Sequence, residues 1–152
     1  MTRVLLIQGA NMEWLGRRQP EFYGTTSAAE LDARLHAHAV SRDIQLEIVY
    51  TNLEGEAISR IFQAVRDGVD GLLMNPAGFT YGGQALRDCL LGVGDDLPYI
   101  EVHMTNIERR GTTSVTAPAA DGVIAGLGID SYTLGLEALL GVLAKRDRSG
   151  GG

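Results

Sequence analysis

Five short apolar runs, spaced by helical patterns, constrain the fold of this chain more than any other feature. They are "RVLLIQG" near the start, "IQLEIVY" at 44–50, "GLLMN" at 71–75, "PYIEVHM" at 98–104 and "GVIAGLG" at 122–128. Short, nearly continuous runs of branched and leucine side chains suit parallel strands buried on both faces. Between them lie helices. "SAAELDARLHAHAV" opens with Ser27 and Glu30 at capping-box spacing, and "TNLEGEAISRIFQAV" opens with Thr51 and Glu54 at the same spacing. Further helices are expected at about 83–92 and 131–145. Strands alternating with helices predict an α/β three-layer sandwich, with a five-stranded parallel sheet covered on both faces.

The chain has 152 residues, 45% of them hydrophobic and 21% charged, a balance that supports one core. A single domain is expected over 1–146, with a flexible tail at 147–152. The net charge of −6 argues against a broad basic face for nucleic acid. No apolar run approaches the ~20 residues that span a bilayer, and no signal-like segment opens the chain, so a cytoplasmic setting is expected. Cys89, the one cysteine, falls in an apolar helical stretch and reads as an inert core thiol.

Ligands of such sheets bind beyond the carboxyl ends of the strands. Three loops there carry chemistry: "GANMEWLGRRQPEFYGTT", "NPAGFTYGG" and "HMTNIERRGTTS". The first combines Asn11, Arg17, Arg18 and Tyr23 in a stretch too long for a simple connector, and reads as a lid. A guanidinium within a few ångströms of Tyr23 would favour the phenolate; a solvated arginine pair beside a packed aromatic is the structural alternative. On the fourth strand, alternation puts Glu101, His103 and Thr105 on one face and Ile100, Val102 and Met104 on the other. A carboxylate two residues away on the same face would orient the imidazole as a proton donor, whereas a satisfied core histidine is the plainer reading.

Asn75 is either a turn residue or an amide donor to a ligand. His36 and His38 point in different directions on a helix, and no metal-ligand spacing is found. Phosphate-loop patterns are missing too, so no nucleotide or flavin is expected.

Taken together, "GANMEWLGRRQPEFYG", "TNLEGEAI", "NPAGFTYGGQALRD", "IEVHMTN" and "GVIAGLG" resemble, in order and near-spacing, the type II 3-dehydroquinate dehydratases. The resemblance implies a flavodoxin-like fold, a homo-oligomer (a dodecamer of trimers), a carboxylate substrate, and a dehydration without metal or organic cofactor. It implies that Tyr23 is the base and Arg18 the cation that keeps it ionised. Asn11 would hold a water on the enolate oxygen, and His103, supported by Glu101, would protonate the departing hydroxyl. Asn75, Thr105 and the Met104 backbone would form the carboxylate pocket. Asp88 would reach into a neighbouring subunit's site, and Arg110 matches the first arginine of the mobile segment after "TN".

Two departures stand out. Tyr81 occupies the place of a family histidine that contacts ring hydroxyls, and "GTTSVTAPAAD" lacks the family's second arginine. Each unpaired hydroxyl costs roughly 1–3 kcal/mol on burial. The expectation is therefore a divergent dehydratase whose substrate differs at its diol end. The alternatives are a working 3-dehydroquinate dehydratase in which Tyr81, the threonines, Arg17 or Arg109 compensate; a silent paralogue that binds a small acid; and, more distantly, a flavodoxin-type electron carrier.

Overall fold

A computed structural model of the protein describes residues 1–150. Five parallel strands, β1 (Thr2–Ala10), β2 (Ile44–Tyr50), β3 (Gly71–Ala77), β4 (Tyr99–His103) and β5 (Gly122–Ala125), form one sheet in the order β2-β1-β3-β4-β5. This is the doubly wound α/β arrangement that the five apolar runs predicted. Helices α2 (Ala28–Ser41) and α5 (Asp130–Gly150) cover one face. On the other lie α3 (Glu54–Arg66) and α4 (Gln84–Val93). A single turn of helix, α1 (Pro20–Tyr23), sits in the first loop.

Alternation along the central strands divides the core into two layers. Leu6, Leu73, Ile100 and Val102 pack with Leu31, Leu35 and Leu136 on the α2/α5 side. Leu5, Ile7, Leu72 and Met74 pack with Ile61, Leu86 and Leu90 on the α3/α4 side. Cys89 is buried in that second layer, and burial pushes its thiol up to about 11, in keeping with an inert packing role. No helix among the described residues is long and apolar enough to cross a membrane.

Local signals explain some boundaries and not others. Ser27 caps α2, its Oγ accepting from the Glu30 N–H at 3.1 Å. Thr51 and Glu54 do not repeat that arrangement. The N-cap of α3 is Leu53; Thr51 Oγ1 accepts from the Leu53 N–H at 3.0 Å, and the Glu54 carboxylate accepts from the Leu86 N–H of α4 at 2.9 Å. An interhelical bond has taken the acid that the spacing assigned to a cap. The helix α5 also continues through Gly150, into the stretch expected as a flexible tail, whose last two residues lie outside the described ones.

The sheet is tightest where it approaches the site. A Cβ on Gly9 would lie 2.2 Å from the Pro76 carbonyl oxygen of the adjacent strand. Both strands are backbone at that point and neither can yield by a rotamer change. Gly9→Ala is therefore expected to lower stability by roughly 1–3 kcal/mol through overpacking. Thermal unfolding measures it, and an unchanged melting temperature would show that β1 and β3 can part there.

Candidate active site

A cleft of about 530 Å³ opens beyond the carboxyl ends of β1, β3 and β4, lined from all three expected loops. His103, the last residue of β4, reaches it with 5% of its surface exposed. Its Nε2 lies 2.7 Å from Oε2 of Glu101, which is fully buried. Three hydroxyls also donate to that carboxylate: Tyr99 to Oε1 at 2.6 Å, Thr116 to Oε1, and Ser114 to Oε2 at 2.7 Å. Burial alone would push the Glu101 carboxyl up; the bonds from His103, Ser114, Thr116 and Tyr99 outweigh it and hold the group below the ordinary carboxylate range. An ionised carboxylate only accepts, so Nε2 carries a hydrogen. Nδ1 has no protein partner among the described residues and is left for the cleft.

The first loop brings Tyr23 to the same cleft. The guanidinium at its oxygen is not the expected one. The Arg18 guanidinium carbon lies over the Tyr23 ring, 4.8 Å from its centroid, while Arg110 Nη1 donates to Tyr23 Oη at 3.4 Å. The same Nη1 donates to Thr105 Oγ1 at 3.1 Å, and Nη2 to Tyr81 Oη at 3.5 Å. Slight burial would lower the Arg110 guanidinium, but the phenol oxygens of Tyr23 and Tyr81 outweigh it and hold the group above its usual range. Arg110 thus ties the first loop to the loops after β3 and β4. Sequence spacing pairs Tyr23 with Arg18 because they are neighbours; a long-range contact supplies the cation at the oxygen instead.

Asn11 follows β1 with φ +77°, in the left-handed region that asparagine tolerates better than most residues. Its backbone N–H donates to Asn52 Oδ1 at 2.9 Å, and its side-chain amide has no partner among the described residues. Asn75 divides its amide. Oδ1 accepts from the Ala77 N–H at 3.0 Å, which builds the turn, and Nδ2 donates to Tyr132 Oη at 2.8 Å. The turn and donor readings of this residue thus use opposite ends of one group. Met104 and Thr105 line the cleft where the β4 ladder has ended, and among the described residues no acceptor takes either backbone N–H. Two free N–H groups beside an amide can receive an anionic oxygen.

The model of the "Dehydroquinase class II" family matches residues 2–140. The chain belongs to the class II dehydroquinase family. It is 43% identical over 143 residues to a 3-dehydroquinate dehydratase of Xanthomonas oryzae pv. oryzae (strain PXO99A), covering 92% of this chain and 95% of the relative. To the 3-dehydroquinate dehydratase of Carboxydothermus hydrogenoformans it is 42% identical over 151 residues, covering 97% and 96%. Among solved structures, the type II dehydroquinase from Butyrivibrio crossotus superposes with a TM-score of 0.87 at 32% identity, covering 91% of this chain and 97% of the other. That from Propionibacterium acnes gives 0.85 at 33% identity, covering 95% and 97%.

Within this dehydroquinase cleft, Asn11, Arg18, Tyr23, Asn75, Tyr81, His103, Met104, Thr105 and Arg110 come together. Glu101 lies behind His103, in contact with its Nε2. Asp88 does not enter the cleft of its own chain: it lies on α4, 3.8 Å from Arg87, with its side chain 74% exposed. Arg17 stacks on Trp14, 4.9 Å from the ring centroid, and neither it nor Arg109 lines the cleft. Sequence reasoning missed Tyr99, Ser114, Thr116 and Tyr132. Alternation could have found Tyr99, two residues before Glu101 on the same strand face; the others meet their partners across loops or the whole chain.

Proposed function

We propose that this protein is a 3-dehydroquinate dehydratase, a hydro-lyase that loses water from a cyclic β-hydroxy ketone carboxylate through an enolate. The observation that carries it is the pairing, in one cleft, of a phenol held by a guanidinium with an imidazole anchored on a buried carboxylate. Tyr23 takes the proton next to the ketone, and the Arg110 guanidinium offsets the charge of the phenolate oxygen that does so. Arg18, over the ring face, adds a cation–π contact. Negative charge then collects on the ketone oxygen, where Asn11, with its uncommitted amide, supports it directly or through water.

His103 completes the elimination. With Nε2–H fixed on Glu101, Nδ1 can donate only from the doubly protonated ring, and the Glu101 carboxylate balances that charge. The proton passes to the departing hydroxyl and the ring returns to its neutral Nε2–H form. Thr105, Asn75 and the N–H groups of Met104 and Thr105 form the receiver for the substrate carboxylate.

Relatives at 42–43% identity named as 3-dehydroquinate dehydratases favour this reading over the expected change of substrate. The departures still favour a second reading, a substrate altered at its diol end. Against it, Tyr81 meets Arg110 and Thr112 lines the cleft, so both departing segments keep a polar side chain there. The family assembly, a dodecamer of trimers in the cytoplasm, goes with the proposal. Exposed Val123 on the edge strand β5, exposed Leu127 and Leu134, and Asp88 pointing away from its own cleft support a further copy.

Steady-state assay on 3-dehydroquinate, with the mass of the same sample taken by light scattering, tests both. Turnover of roughly 1–10³ s⁻¹ is expected. Absence of turnover, with activity on a diol-modified analogue, would favour the altered substrate, and a single-chain mass would reject the assembly.

A further inference from the structure

Behind the cleft, three buried polar side chains from distant parts of the chain form a row. Asn75 Nδ2 donates to Tyr132 Oη at 2.8 Å, and Tyr132 Oη donates to Gln8 Oε1 at 2.8 Å. Tyr132 and Gln8 are both fully buried, and Asn75 is 5% exposed. Burial pushes the Tyr132 phenol up despite its bonds with Asn75 and Gln8, so the hydroxyl keeps its hydrogen throughout the working pH range. The Ala77 N–H on Asn75 Oδ1 turns Nδ2 toward Tyr132, so the Tyr132 oxygen accepts there and its hydrogen goes to Gln8 Oε1, while Gln8 Nε2 has no partner among the described residues.

The direction of this row has a consequence for Asn75. A flipped amide would set Oδ1 against a Tyr132 oxygen with no hydrogen to give, and Nδ2 against the Ala77 N–H that now donates to Oδ1 at 3.0 Å. Both ends oppose the flip. One hydrogen of Nδ2 is held by Tyr132; the other has only Met12 Sδ, at 3.5 Å. Thioether sulfur is a weak acceptor, readily displaced by a ligand oxygen.

We infer that Tyr132, oriented by Gln8, is a positioning residue that fixes the Asn75 amide so that one N–H is presented to the substrate's oxygen from the floor of the cleft. The inference rests on the proposed dehydratase reading for the substrate, but the geometry concerns any cyclic carboxylate in the cleft. Tyr132 touches no ligand itself. It acts through Asn75, and its loss therefore weakens substrate binding while leaving Tyr23 and His103, and so the proton transfers, in place.

The test is a two-residue cycle with two readouts. Tyr132→Phe, a near-isosteric change in the buried site, is expected to raise KM for 3-dehydroquinate about 5- to 30-fold, as loss of one buried hydrogen bond does. The kcat and its pH profile should stay within about threefold of wild type. Calorimetric affinity for quinate, the cyclohexane carboxylate in which the substrate ketone is an alcohol, should weaken by the same factor. In an Asn75→Ala background, Tyr132→Phe should change either quantity by less than about twofold.

Unchanged KM and quinate affinity in Tyr132→Phe, or a full effect that persists without Asn75, overturns the inference, even if the melting temperature falls. A wild-type crystal with quinate removes dependence on variant folding. It should show Asn75 Nδ2 on both Tyr132 Oη and a ligand oxygen. An amide swung off Tyr132, or no quinate bound, overturns it as well. Failure of the dehydratase reading is separate, and appears as wild-type protein that binds quinate and turns over no 3-dehydroquinate.

Discussion

Replacing Tyr23 with phenylalanine is expected to lower kcat on 3-dehydroquinate by roughly 10²–10⁴-fold, the usual contribution of a positioned general base. The substitution removes one oxygen and little else. Phenylalanine keeps the ring that Arg18 covers at 4.8 Å and that meets Phe22 edge-on at 6.4 Å between centroids. Tyr23, partly buried in a single helical turn, packs its ring against the core, and phenylalanine keeps that contact. The loss should therefore fall on kcat, with KM changed by a small factor, because the phenol takes part in proton removal while other groups, Asn75, Thr105 and the N–H groups of Met104 and Thr105, receive the carboxylate. Steady-state kinetics at saturating substrate measure it. A kcat within about twofold of wild type would remove Tyr23 from the reaction and leave Arg110 holding a phenol of no consequence.

That pairing of Tyr23 with Arg110 also marks the limit of what the residues alone disclose. The central strands were readable because a buried parallel strand needs a nearly continuous apolar run, whereas β2 and β5, at the sheet edges, are partly exposed and were marked by their branched residues. Ser27 and Glu30 were readable because a cap is local. Thr51 and Glu54 have the same spacing and fail, since the Leu86 N–H, 32 residues away, competes for the acid. Local rules hold where no distant group offers a better partner.

The site divides along the same line. Asn11, Asn75, His103 and Thr105 sit at or next to strand ends, where topology alone sends them to one cleft, and Tyr23 joins them from the helical turn in the long first loop. Arg18 was assigned to the phenol oxygen by proximity in sequence, whereas Arg110, 87 residues away from Tyr23, reaches it by folding. One alternative, a working 3-dehydroquinate dehydratase, has the threonine-rich segment replace lost substrate contacts. In the folded chain only Thr112 of its named members faces the cleft, while Ser114 and Thr116 turn inward to Glu101. No periodicity distinguishes those two directions, because the segment is irregular and its partner belongs to another element.

Those inward hydroxyls make Glu101 the position where a single change should cost the most stability. Glu101→Leu strands the donors of Tyr99, His103, Ser114 and Thr116 in a buried site, and a loss of about 3–5 kcal/mol is expected from urea unfolding at neutral pH. Set against the ~5–15 kcal/mol that hold a domain together, that is a large share. Glu101→Gln separates charge from hydrogen bonding. Its carbonyl can still accept from His103 and Ser114, and its NH₂ can donate to the Tyr99 and Thr116 hydroxyls, which rotate to accept. Stability should fall less than in the leucine variant, yet the anion that balances the His103 cation is gone, and kcat should drop by about 10²-fold or more.

The pH dependence separates the two contributions further. Because the folded chain holds the Glu101 carboxyl below its ordinary value of 4.5, the unfolded chain binds that proton first as pH falls. The stabilisation is present in full above the unfolded value and disappears as pH drops through the lowered one. Wild-type unfolding free energy should therefore decline in that acid window more steeply than that of Glu101→Gln, which has no proton to bind there. Parallel acid limbs for the two proteins would mean that the carboxylate contributes nothing through its charge, and with it would go the electrostatic basis for His103 as the acid.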